Sequence, residues 1–170
     1  TLGNALVAPV LPFSPAGSHL NLKTPGSVQL FGPVFSAVNE AVVDSMVVNG
    51  FTTIILMGDH GGGQRDLEAL ALRLDRKYAP TGHRVYFCGD VYQKTEDDVN
   101  AWLKMRGLPP TTHAGVQDTS VLMFLGADAY VRKDKVLQND PPPTAELGRM
   151  FFEMQVENAV SQIRALTRAK

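Results

Sequence analysis

The chain alternates short apolar runs with stretches in which apolar residues recur at helical spacing. Thr52 to Met57 (Thr-Thr-Ile-Ile-Leu-Met) and Arg84 to Cys88 (Arg-Val-Tyr-Phe-Cys) are runs of the first kind and predict buried strands. Between them, Leu67, Leu70, Ala71, Leu74 and Tyr78 fall on one face of a helix that starts at Gln64. Ahead of the first strand, Pro33 to Val48 predicts a helix. Pro33 suits its first turn, Val34, Val38, Ala41 and Val42 line a face, and Asn49-Gly50 stops it. Further on, Thr95 is placed to cap a helix with Asp98 three residues later, and Val99, Trp102 and Leu103 face its core side. A short helix is expected to begin near Asp118. A last one starts at about Ala145, with Leu147, Met150, Phe151, Met154, Val156, Ala159, Val160 and Ile163 inward. Ala5 to Phe13 reads as a further apolar strand, kept to an edge or ended early by Pro9 and Pro12. Strands alternating with helices predict one α/β domain over residues 1–170, a three-layer α/β/α arrangement around a mostly parallel sheet.

Composition narrows the classes. The 170 residues are enough for one domain with a real core. With 16 basic and 17 acidic residues the net charge is −1, which carries no nucleic-acid footprint. Cys88 is the only cysteine, so an internal disulfide and a cysteine-rich zinc site are excluded, and its apolar neighbours predict a buried structural thiol. No apolar stretch reaches the ~18 residues that a membrane span needs. The opening Thr-Leu-Gly-Asn reads as the end of a helix, so the sequence is expected to be part of a longer protein.

Candidate chemistry collects just after the Thr52–Met57 run. Gly58 ends it, Asp59 and His60 follow, and Gly61, Gly62 and Gly63 precede the helix at Gln64. Strand, acid-histidine pair, glycine loop and helix is the order that places ligands at the carboxyl end of a sheet strand. The glycines could instead simply form a tight turn. A phosphate cradle fits less well, because no Lys-Ser/Thr pair follows and the spacing is not Gly-x-Gly-x-x-Gly. An imidazole beside a carboxylate suits a divalent metal or general-base chemistry better. A second stretch, His113-Ala-Gly-Val-Gln-Asp118, sets a loop histidine five residues before an aspartate at a helix start. That spacing lets both turn toward one pocket, or leaves a loop histidine beside an N-cap aspartate.

Gly58-Asp59-His60-Gly61-Gly62, just after a strand, resembles the Asn-Gly-His-Gly-Gly-Asn motif of the creatininase (creatinine amidohydrolase) family. His113-Ala-Gly-Val-Gln-Asp-Thr-Ser is similar to its His-Ala-Gly-x-x-Glu-Thr-Ser motif, and Thr24-Pro-Gly-Ser27 stands where that family carries Phe-x-Gly-Thr. The resemblance implies an α/β amidohydrolase with a dinuclear zinc, manganese or iron site, often assembled as a hexamer. It implies that His60 is a metal ligand, that Asp118 stands near the metal at the glutamate position, and that His113 is the acid/base group. The expected activity is hydrolysis of a non-peptide C–N bond, in a cyclic amide or formamide-like small molecule. The expected partner is a second copy of the chain. Two departures bear on this. No Glu-x-His motif precedes Ala5, and Asp59 and Gly63 replace the motif's Gly and final Asn. They leave a second expectation beside the enzyme, a non-catalytic binding or assembly module that kept the fold.

Overall fold

The computed structural model describes residues 2–15, 27–132, 134, 136 and 141–168, arranged as two compact units. Of the described residues, those up to 92 and from 162 on make up the first, and those from 93 to 161 the second. Helix α1 (Gly32–Val48), strand β1 (Thr53–Met57), helix α2 (Gln64–Tyr78) and strand β2 (Arg84–Cys88) make up the first. Helices α3 (Gln93–Lys104), α4 (Val116–Phe124) and most of α5 (Ala145–Arg168) make up the second.

β1 and β2 pair in parallel, from Thr53 opposite Arg84 to Met57 opposite Cys88, with α2 as the crossover. A parallel pair needs such a crossover, because both strands must run the same way. The register sets Ile54 beside Val85 and Leu56 beside Phe87, and these side chains meet Leu67, Leu70, Ala71 and Leu74 of α2 in one apolar cluster. The α/β class expected from the sequence is therefore the one adopted. Both strands also end at the same edge, so the loops after Met57 and Cys88 leave from one end of the sheet. Asp75, near the end of α2, fixes β2 at its start. It accepts from the Arg84 guanidinium at 2.8 and 3.0 Å and from the Val85 N–H at 3.0 Å. The Arg84 hydrogen bond holds the Asp75 carboxyl below the ordinary carboxylate range.

α1 stops where Asn49-Gly50 predicts. Phe51 N–H donates to Met46 O and Gly50 N–H to Val47 O, with Gly50 at φ +88°. That is the Schellman pattern, whose left-handed residue is cheapest as glycine. Its inward face differs from expectation. Phe35 and Val43 are buried in the cluster, whereas Val34, Val38 and Val42 are exposed. α1 is apolar almost all round, so its periodicity does not fix which side turns inward.

Three further expectations are corrected. Ala5 to Phe13 forms no strand, and Leu6, Val7 and Val10 are 82%, 93% and 83% exposed. Pro9 and Pro12 lack the N–H that a ladder requires, and hydrophobic composition alone supplies no pairing edge. Thr95 does not cap α3, which starts at Gln93. It is buried within the helix, where its hydroxyl accepts from Asn158 Nδ2 at 3.3 Å, while Asp98 accepts from Asn158 at 2.9 Å and from Lys94 at 2.6 Å. Val156 of α5 faces outward at 42% exposure, although Phe151, Ala159 and Ile163 are buried as expected.

In the second unit Val99, Leu103, Val116 and Phe151 form the core, with Trp102 packed edge-on to Phe151 at 5.5 Å. Trp102 thus packs rather than lining a ligand wall, and the Arg106 guanidinium lies over its ring at 3.8 Å from the centroid. Cys88, in the first unit, is fully buried, and burial pushes its thiol pKa up. It is the inert structural thiol that its neighbours predicted.

Candidate active site

β1 delivers the first motif. After Met57 the chain turns at Gly58, and His60 lies exposed in the loop that leads into α2. The Gly62 N–H donates to His60 Nδ1 at 3.0 Å, and the Ser14 hydroxyl lies 3.2 Å from the same nitrogen. The Gly62 carbonyl stands 3.3 Å from it. Gln64, the first residue of α2, donates from Nε2 to both the Gly58 carbonyl (2.8 Å) and the His60 carbonyl (2.7 Å). The loop is thus tied to the strand end behind it and the helix ahead of it.

The glycines serve that packing. A Cβ on Gly62 would lie 1.7 Å from the Pro15 carbonyl oxygen, and one on Gly61 would lie 2.8 Å from the Tyr92 hydroxyl. The loop is a close-packed turn around His60, with the Gly62 N–H already given to the imidazole. A phosphate cradle would need such N–H groups free to point at an anion.

The second motif sits in the other unit. Gly115 N–H closes a turn on the Thr112 carbonyl at 2.8 Å, with His113 and Ala114 as its central residues. Ala114 has φ +55°, a left-handed conformation that costs a non-glycine residue about 1–2 kcal/mol. Neighbouring side chains hold it there. Asp118 Oδ2 accepts the Ala114 N–H at 3.0 Å, and the Thr119 hydroxyl donates to the Ala114 carbonyl at 3.2 Å. The N-cap of α4 is Gly115, and Asp118 occupies the first turn. One of its carboxylate oxygens therefore fixes the backbone next to His113, and both side chains are exposed.

Sequence reasoning missed Ser14 and Gln64. Ser14 is 46 residues from His60 and carries no signal beyond lying between Phe13 and Pro15. Gln64 had one signal, a long amide directly after a glycine run at a helix start. Thr24-Pro-Gly-Ser27 and His19 lie outside the described residues, Ser27 excepted.

The donors suit a divalent metal in kind. A histidine that ligates through Nε2 carries its ring proton on Nδ1 and donates it to an oxygen. As placed, Nδ1 accepts the Gly62 N–H, so ligation through Nε2 would require the ring proton to move to Nδ1, where the Gly62 carbonyl at 3.3 Å is its acceptor. Asp118 keeps one carboxylate oxygen outside its bond to Ala114. In number they fall short, since among the described residues no three His, Cys, Asp or Glu side chains gather around a common point.

A parallel β–α–β pair with a histidine on a glycine loop at the strand end places the chain in the α/β class. The sequence matches the creatininase family, described as creatinine amidohydrolase, over residues 1–167, and the chain belongs to that family. No curated protein and no solved structure matches it.

Proposed function

We propose that this chain is a metal-dependent amidohydrolase that cleaves a non-peptide C–N bond in a small cyclic amide or formamide-like molecule. The observation that carries the reading is family membership over residues 1–167, with both histidine motifs present. In this reading His60 and Asp118 are metal ligands. Zinc and manganese are the ions that such nitrogen and oxygen donors take, with iron a third choice. When bound, a divalent ion would supply the Lewis acidity that makes water nucleophilic near neutral pH. This chain's own contribution is to hold the His60 ring on its loop, to fix the turn at Ala114 through Asp118, and to move a proton at His113. The experiment is hydrolysis of a panel of cyclic amides and formamides by the chain supplied with zinc or manganese. Turnover that depends on His113 supports the reading, and no turnover of any member with either metal counts against it.

A second reading, a non-catalytic module that kept the fold, draws on the lack of any group of three or more His, Cys, Asp or Glu placed to hold a metal among the described residues. The partner we propose is a further copy of the chain, with the hexamer as the assembly expected of the family. A light-scattering mass of several chains at micromolar concentration is the expected result, and a mass of one chain would remove the homo-oligomer from the account. No described helix is long and apolar enough to cross a membrane.

A further inference from the structure

We infer that Gln64 is the positioning residue of the His60 loop, and that through it the neutral imidazole is held with its lone pair at Nδ1 and its proton at Nε2. The inference rests on the reading of His60 as a site residue. A side-chain amide has two N–H protons and a carbonyl oxygen. Gln64 commits its Nε2 to the Gly58 carbonyl at 2.8 Å and the His60 carbonyl at 2.7 Å, the two carbonyls that bracket Asp59. The segment bearing the acid-histidine pair is thereby anchored to the first residue of α2. That helix is itself fixed in the core one turn later by Leu67, so the loop inherits the helix's rigidity. α2 has no side-chain cap, its N-cap being Gly63 at φ +88°, so the Gln64 side chain is what joins the helix start to the loop.

The tautomer follows from the backbone. A peptide N–H always carries its proton, so the Gly62 N–H lying 3.0 Å from Nδ1 requires a lone pair there. The Ser14 hydroxyl, 3.2 Å away, can rotate to donate to the same lone pair. A neutral imidazole that accepts at Nδ1 carries its proton at Nε2. Metal coordination through Nε2 needs the opposite tautomer, with Nδ1–H given to an oxygen, and the Gly62 carbonyl at 3.3 Å is the acceptor for it. The same glycine therefore serves both states through its N–H and its C=O. Gln64 keeps the loop where either exchange takes place.

Nitrogen-15 spectra of the imidazole, recorded on the whole metal-free chain at about pH 9, well above the ordinary histidine range, test this. His60 is expected to give the pattern of a single Nε2–H tautomer. A dominant Nδ1–H pattern in the wild-type chain would overturn the inference without any variant. Gln64→Glu keeps the shape but sets a carboxylate against two carbonyl oxygens, and Gln64→Met removes both donors with no added charge. In each, the His60 signals should move toward a mixture of tautomers while methyl signals from Leu67 and Ile54 stay in place, with the larger change in Gln64→Glu. Wild-type His60 signals in both variants would show that Gln64 does not position the ring. Should the signals move as expected while the wild-type chain takes up no zinc, the metal-dependent reading fails and the role of Gln64 stands.

Discussion

His113→Ala is expected to lower turnover by ~10²–10⁴-fold, the usual worth of a positioned general acid–base group. Amide hydrolysis needs a proton delivered to nitrogen as the C–N bond breaks, because an amide anion is a poor leaving group. An imidazole does this near pH 7, where neither protonation state is scarce. His113 stands in a turn whose next residue, Ala114, is held in a left-handed conformation by Asp118 and Thr119. Strain of that kind persists only where surrounding bonds enforce it, and it is often found at functional positions. If His113 carries the proton, metal content stays at the wild-type level while turnover falls. Metal and turnover falling together would instead make it a ligand, and unchanged turnover would leave it a loop residue.

Gly148→Ala is expected to destabilise the chain by about 2 kcal/mol or more, although alanine is the better helix former. Propensity alone would favour the substitution by ~1 kcal/mol. Packing reverses the sign. A Cβ at Gly148 would lie 1.8 Å from the Ser120 carbonyl oxygen and 2.9 Å from Phe124 Cβ, so the backbones of α5 and α4 meet there. A backbone carbonyl cannot rotate aside as a side chain does, and overpacking of this kind typically costs ~1–3 kcal/mol. Ser120 is fully buried and its hydroxyl accepts from the Thr144 N–H at 3.1 Å, so the helix start would shift with it. Urea unfolding of the two proteins measures the difference. A midpoint equal to or above the wild-type value would show that α4 and α5 part without cost.

What could be read from the sequence follows from how far apart the deciding partners lie. β1, α2 and β2 were legible because each carries its own signal: short β-branched runs for the strands, and a single apolar stripe at Leu67, Leu70, Ala71 and Leu74 for the helix. The end of α1 was legible because Asn49-Gly50 acts locally. Its inward face was not, since valines surround it and the choice was made by Ile54, Leu56 and α2. The role of Thr95 depended on Asn158, which is 63 residues away. Asp118 was rightly placed at a helix start, but its partner is the backbone N–H of Ala114. The family was legible from two short motifs, and their histidines are the part of the site that sequence singles out. Ser14 was hidden because nothing in its own neighbourhood marks it as a partner of His60, and Gln64 carried only the local signal of an amide directly after a glycine run.

The measurement that bears most directly on the proposed activity is the divalent-metal content of the purified chain beside that of His60→Ala. Elemental analysis after dialysis against zinc or manganese is expected to find metal retained by the wild-type protein and mostly lost from the variant, with both proteins folded by circular dichroism. Equal metal content in the two would contradict His60 as a ligand, and a wild-type protein that retains none would contradict the metal-dependent amidohydrolase itself.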